Sequence, residues 1–444
     1  MTRAHIQEEG EPGALTSVGA GRRLNSWAGS KPRVLVVGAG FGGLAVVAGL
    51  ARAGVRVTLV DRHQYTTFQP LLYQVAAGGL NQGDVAFPVR SLLRRMHAGD
   101  FFRASLAEVD WPAHLVRLDD DTALPFDYLV LATGASTSYF GVEGADTWAL
   151  PLYTLADAVR LRDRLILQLD RAARSTEAPP RLRVVIVGGG ATGVETAGAL
   201  AELRDVLVGR DYPELGRADI ILELLERAPR LLPGFHPSLS SYARRELERR
   251  GVVIRTDCQV ERVEASAVVV DGADRLTCDL LVWAAGVAVP DERAYEGLAR
   301  NASGRLAVTA SLQLVDHPEA FAVGDLAGSR AASGVELPQL AQPAIQAGAH
   351  VARQVVRISH DLPVEEFQYR DRGAMATIGR RAAVAQLRGG LRLTGTIAWL
   401  AWLGLHLVEL IGVRNRFSVL LNWSWRYVAW RGGAGLIPGP TDES

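Results

Sequence analysis

VLVVGAGFGGLAVVAGLARAGVRVTLVD, residues 34–61, is the stretch that decides the fold. The β-branched run VLVV reads as a buried strand, and the glycine-rich turn GAGFGG follows it. LAVVAGLARAG continues as a helix, and VRVTLVD forms a second strand that ends on Asp61. Strand, turn, helix and strand close within about thirty residues, which is one βαβ unit. Gly38, Gly40 and Gly43 have the G-x-G-x-x-G spacing, with Phe41 and Gly42 between them. The first glycine permits the tight turn, the second lets a pyrophosphate approach the backbone, and the third lets helix pack on strand. The pyrophosphate of a dinucleotide would rest on the unpaired N–H groups of the helix N-terminus. Asp61 stands at the strand end, where it can accept from ribose hydroxyls.

The pattern returns. RVVIV (183–187) leads into GGGATG, then the helix VETAGALAELRDVL, then the strand IILELLE ending on Glu226. Gly188, Gly190, Thr192 and Gly193 form this second turn, 150 positions after the first, a spacing that suits two similar domains. Glu226 is the expected ribose acid, with Glu223 as a facing alternative. An acid here repels a 2′-phosphate and favours NADH over NADPH, although Arg227 beside it weakens that preference. Further strands end on small residues: FDYLVLATGA (126–135) with Thr133 and Gly134, CDLLVWAAGV (278–287) with Ala285 and Gly286, and AFAVGDLAG (320–328) with Gly324 and Asp325. ARSTEAPPR (173–181) reads as a linker into the second unit. Two dinucleotide sites in one chain imply a held FAD at the first turn and an exchangeable NADH at the second. The chemistry is then that of an oxidoreductase.

Composition narrows the alternatives. Lys plus Arg and Asp plus Glu are equal at 48 in 444 residues, so no global field recruits nucleic acid. The two cysteines, Cys258 and Cys278, form no CxxC, which removes a disulfide reductase and leaves two structural thiols. Too few thiols are present for sulfide:quinone chemistry, and no metal cluster, Ser-His-Asp set or Walker loop stands out. The first thirty residues contain no signal-length apolar run and read as a disordered leader. At the other end, IAWLAWLGLHLVELIG (397–412) is short for a membrane span and is interrupted by His406 and Glu409. RNRFSVLLNWSWRYVAW then sets Arg414, Ser418, Asn422 and Arg426 on one stripe against Phe417, Leu420, Leu421 and Val428. Five of nine tryptophans lie in this region, flanked by Arg388, Arg392, Arg416 and Arg431. Two interfacial helices lying on a bilayer fit this composition better than a buried helical hairpin or a dimer interface.

The phrases VVGAGFGGL (36–44), FQPLLYQVA (68–76), GGGATGVETAG (188–198), VWAAGV (282–287), FAVGDLA (321–327) and LPQLAQPAIQAG (337–348) resemble type II NADH dehydrogenases. These are the non-proton-pumping NADH:quinone oxidoreductases of the two-dinucleotide-binding flavoproteins, and the likeness spans about residues 33–437. It implies that Gly324 and Asp325 hold the FAD pyrophosphate and ribitol. It also implies that Gln342 and Gln346 of the AQxxxQ element flank the flavin and the quinone head group. Glu195, on the first turn of the second helix, would position the hydride site or deliver a proton. The expected fold is α/β, with two Rossmann-like domains: an FAD domain (31–150 and 300–390), an NADH domain (151–299) inserted in it, and membrane-anchoring helices (391–444). The expected enzyme sits peripherally on the cytoplasmic face of the cell membrane and passes electrons from NADH through FAD to ubiquinone or menaquinone. A soluble reductase of a protein electron carrier and a non-catalytic NADH-sensing flavoprotein remain as alternatives, and a homodimer is left open.

Overall fold

Two parallel sheets, built alike, carry the two glycine turns. The structure, a computed structural model, describes residues 32–176, 179–272, 274–290 and 292–424. The expected leader lies outside the described residues, as do Trp425, Arg426, Val428, Trp430 and Arg431 of the tail. In the first sheet the strands run in the order Gln313–Leu314, His317–Ala322, Tyr128–Leu131, Val34–Val37, Val57–Asp61 and Gly99–Arg103. All pair in parallel except the edge strand Gln313–Leu314. The second sheet orders Leu150–Pro151, Leu280–Trp283, Leu182–Val187, Ile220–Leu225 and Val252–Arg255, all parallel. Val34–Val37, Tyr128–Leu131 and Leu280–Trp283 are buried throughout, as continuous apolar runs in a doubly covered parallel sheet must be.

The likeness extends beyond the sheets. Each carries a three-stranded antiparallel meander, Leu106–Pro125 beside the first and Val260–Thr277 beside the second. Each also locks its central strand with the same aspartate clasp. Asp127 accepts from the Arg33 backbone N–H at 2.8 Å, and Asp279 accepts from that of Arg183 at 2.7 Å. A two-stranded ribbon, Ser136–Thr137 against Val287–Ala288, ties together the two crossings between the halves. The second domain is therefore inserted in the first, as the sequence implies.

Different covers lie over the two glycine helices. Phe41–Arg52 packs along Ala341–Ser359 so closely that a Cβ at Gly348 would lie 2.2 Å from the Gly42 carbonyl oxygen. Ala191–Leu207 instead packs beneath a C-terminal three-stranded sheet (Gly373–Gly379, Ala382–Leu387, Arg392–Thr394), where a Cβ at Gly198 would lie 2.0 Å from the Ile378 carbonyl oxygen. The expected boundary at 390 falls inside that sheet: Val384 pairs with Thr394 across it. Alternation of small residues hid this sheet, because AAVAQL lacks the bulky residues that mark a strand. Two helices, Gly395–Glu409 and Val413–Ser424, complete the described chain. No helix among the described residues is long and apolar enough to cross a membrane.

Candidate active site at two glycine turns

At the first turn Gly38 adopts φ +108°, a conformation side chains rarely take. Its N–H donates to the Val60 carbonyl at 2.8 Å, and a Cβ would meet the Ala132 oxygen at 2.2 Å. A Cβ at Gly43 would lie 1.9 Å from the Gly38 oxygen, so helix and strand touch there. At Gly40, by contrast, a Cβ meets nothing within 4 Å and would stand in the open cleft. Asp61 holds the turn: Oδ2 accepts from the Ala39 N–H at 2.6 Å and Oδ1 from that of His63 at 2.7 Å.

Around this turn lies a cleft of about 400 Å³ lined by Phe41, Gly42, Thr133, Gly134, Tyr153, Gly324, Asp325, Ala341 and Ala344, among others. A second cavity of about 330 Å³ continues past Asp61 to Ala104–Ala107 and Arg293, sharing Gly38, Asp61, Arg62 and Thr133 with the first. Together they form a long trough with a pyrophosphate cradle mid-way, a shape that fits an extended dinucleotide such as FAD. Asp325 is raised from the ordinary carboxylate range because burial outweighs the pull of Arg305. Tyr153, which the sequence does not single out, faces it: the hydroxyl lies 3.4 Å from Asp325 Oδ2 and accepts from the Ala135 N–H at 3.3 Å. Burial pushes that phenol up to about 12. Tyr295, equally unmarked in the sequence, meets the Thr133 hydroxyl at 2.5 Å.

The second turn repeats the geometry. Gly188 has φ +106°, its N–H donates to Leu225 at 2.8 Å, and a Cβ at Gly193 would lie 1.8 Å from the Gly188 oxygen. Gly190 again opens onto free space. Glu226 does what Asp61 does, accepting from the Gly189 N–H at 2.5 Å and the Ala228 N–H at 2.6 Å. Glu223 is excluded from that part, because its buried carboxylate pairs with Arg183 at 3.1 Å and Arg255 at 2.6 Å. Thr192 is exposed on the first turn of the helix, and Ala285 and Gly286 sit at the neighbouring strand end. Phe140, largely exposed, reaches over Gly286.

Glu195 occupies the second helical turn rather than the first. It is buried in a seam where Tyr73 and Gln74, Thr377 and Trp402 meet. Oε1 accepts from the Thr377 N–H at 3.2 Å. Burial raises the carboxyl to about 8, offset only in part by that N–H and the Trp402 indole. Burial thus favours the protonated, uncharged form of this acid. Gln74 also accepts from Trp423 Nε1 at 2.8 Å, so the seam joins both halves to the tail helices.

The AQxxxQ pair divides. Gln342 sits half-buried at the start of Ala341–Ser359, between the cleft-lining Ala341 and Ala344. Gln346 does not join it. Its amide donates to and accepts from the Arg370 backbone, both at 3.0 Å, which commits it to holding the 362–372 segment. Cys258 and Cys278 are buried, their thiols pushed up to about 12 and about 11 by burial, as structural thiols should be.

The match to a pyridine nucleotide-disulphide oxidoreductase family covers residues 32–348, and an NDH2 C-terminal domain covers 372–431. The chain is 38% identical to the type II NADH:quinone oxidoreductase NdhA of Mycobacterium tuberculosis, over 89% of this chain and 87% of that protein. It is 34% identical to the same organism's type II NADH:quinone oxidoreductase Ndh, over 90% and 89%. The chain belongs to the type II NADH:quinone oxidoreductases. In fold, this type II enzyme superposes on the NDH2 of Plasmodium falciparum, solved in complex with NADH, with a TM-score of 0.83 at 19% identity, covering 92% of this chain and 100% of that one. The NDH2 C-terminal match begins at 372, where the structure also starts the sheet that covers the second glycine helix.

Proposed function

We propose that the chain is a peripheral membrane flavoenzyme on the cytoplasmic face, passing electrons from NADH to a bilayer quinone without pumping protons. As a type II NADH:quinone oxidoreductase it is FAD-dependent, with NADH as donor and quinone as acceptor. FAD, when bound, accepts a hydride and releases two electrons. Gly38, Gly40, Phe41, Gly42, Gly43, Asp61, Thr133, Gly134, Gly324, Asp325 and Gln342 would hold it. Gly188, Gly190, Thr192, Gly193, Glu226, Ala285 and Gly286 would receive NADH, with Glu195 beyond them. Reduction of a quinone consumes two protons. Glu195, whose protonated form burial favours and whose Oε1 accepts from Thr377, can hold one of them on Oε2.

The observation that carries membrane docking is that the Val413–Ser424 helix, which buries Val419 and Trp423, turns three polar side chains inward and leaves large apolar ones outside. Ser418 donates to Asp84 Oδ1 at 2.6 Å, Asn422 to Asp84 Oδ2 at 2.8 Å, and Asn415 to the Ala86 carbonyl at 3.0 Å. On the outside, Val413 is 77% exposed and Phe417 62%, continued on the preceding helix by Ile397 at 69% and Val408 at 66%. His406, which breaks the apolar run in sequence, points inward. It stacks on Trp402 with centroids 4.0 Å apart, donates to the Trp402 carbonyl at 2.8 Å, and is held neutral by burial, down to about 4. A contiguous apolar face of this kind marks a docking surface, and quinone resides in lipid. No spanning bundle among the described residues offers a proton route.

Removing the tail would test this poorly, because it also strips buried Trp402 and Trp423, each costing about 3–5 kcal/mol. Val413→Glu with Phe417→Glu leaves the core intact. The double variant should remain folded and flavin-loaded yet partition to the soluble fraction; unchanged sedimentation with membranes would reject the docking face.

A further inference from the structure

We propose that the basic helix Val89–Met96 forms the headgroup-binding edge of the docking face and makes the enzyme select bilayers rich in anionic phospholipid. The inference rests on the bilayer reading above, but on different residues. Arg90, Arg94 and Arg95 are exposed on this helix, while Val89 and Leu93 face the core. None of the three has an ion-pair partner among the described residues. The nearby acids are engaged elsewhere: Asp84 with Ser418 and Asn422, and Asp100 with Arg56 at 3.4 Å.

Position is set by one aromatic ring. The Arg95 guanidinium lies 5.2 Å from the centroid of Phe87. Phe87 is also the ring against which the turn between the two tail helices rests, since a Cβ at Gly412 would lie 2.5 Å from its Cε2. Val413, the most exposed apolar residue of the face, comes next in the chain. Arg414, exposed and likewise without an ion-pair partner among the described residues, follows it. Arg95 and Arg414 therefore border the apolar face, with Arg94 beside Arg95 on the same helix and Arg90 stacked 5.1 Å over Phe101 at the sheet edge, while two of the arginines that flank the Trp-rich tail in sequence are committed elsewhere. Arg416 caps its neighbour helix through the Leu410 carbonyl at 2.8 Å, and Arg392 meets the His236 ring at 2.8 Å. With Lys plus Arg and Asp plus Glu equal over the whole chain, this is a local feature, not a consequence of net charge.

Apolar insertion bordered by unpaired guanidinium groups fits a phospholipid surface carrying negative headgroups. A basic residue near such a surface contributes about 1 kcal/mol, or roughly fivefold in affinity, and the effect fades with salt. The test is sedimentation of the full-length holoenzyme with vesicles of phosphatidylcholine alone, or with phosphatidylglycerol added, at low and high salt. Wild type should favour the phosphatidylglycerol vesicles. Arg90→Gln, Arg94→Gln and Arg95→Gln combined should lose on the order of a hundredfold on them and nothing on phosphatidylcholine. The matching triple lysine variant should regain most of the binding. Retained flavin and unchanged turnover with a water-soluble quinone analogue would show that both variants are folded. Equal binding of wild type to the two compositions, or an unaffected glutamine variant, would overturn the headgroup assignment and leave docking standing. Failure to bind either vesicle would overturn both.

Discussion

The two glycine turns are nearly superposable in their chemistry and unlike in what covers them. Each has a first glycine beyond φ +100°, a third glycine in contact with the first, and an open second glycine. A strand-end acid bridges the same two backbone N–H groups in each. Around the first turn, however, Gly324, Asp325, Ala341, Ala344 and Tyr153 line a long trough. The second turn instead gives its helix to the C-terminal sheet, and the residue buried there is an acid, Glu195. On the proposed assignment, the turn makes a nucleotide site and the cover decides whether the nucleotide is held or exchanged.

The largest effect should come from filling the open glycine. Gly40→Val and Gly190→Val both place a side chain in free space, so neither should cost much stability. Gly40→Val should yield colourless protein, whereas Gly190→Val should keep its flavin and lose reduction by NADH. Absorbance near the flavin bands before and after NADH separates them, and loss of flavin in both would erase the distinction. Next, Glu226→Ala should raise the NADH KM by about tenfold or more, with kcat falling less. It also leaves the Gly189 N–H without its acceptor, at about 1–3 kcal/mol.

Glu195 sharpens the contrast through pH. Its folded-state value, about 8, lies above the ordinary carboxylate value, so the charged form is disfavoured in the fold. Stability attributable to this site is therefore greatest below the unfolded value and is lost as pH rises towards 8. Glu195→Gln should remove that loss, so its melting temperature should gain on wild type between about pH 5 and 8. If Glu195 delivers a proton, wild-type quinone turnover should fall as pH rises through about 8, and Glu195→Gln should turn over slowly at every pH without that fall. A variant that tracks wild type across this range would deny the buried acid its role. The smallest effect should separate the AQxxxQ pair. Gln342→Ala should slow flavin reoxidation by quinone while sparing reduction by NADH. Gln346→Ala should cost about 1–2 kcal/mol through its two lost backbone bonds and spare both half-reactions.

Much of this was legible in the sequence because backbone geometry leaves a local signature. Gly38 and Gly188 must be glycine at those φ values, and Asp61 and Glu226 end the strands that the spacing predicts. Tyr153 and Tyr295 were not legible, because they arrive from distant segments and lie in no motif. Gln342 and Gln346 share a helix face by spacing, yet one alone is drawn away by Arg370, a contact no periodicity encodes. The tail was half legible: its amphipathic stripe is present in sequence, but only Asp84, more than 300 positions away, reveals that Ser418 and Asn422 point inward.

The most direct measurement combines both turns in one experiment: rapid mixing of the purified, detergent-solubilised protein with NADH, then with a short-chain ubiquinone or menaquinone analogue. Flavin that survives gel filtration, bleaches on NADH and recovers its colour only when quinone is added is the result expected of one held and one exchanging dinucleotide. Flavin that washes away with NADH, or that stays bleached in the presence of quinone, would contradict the account.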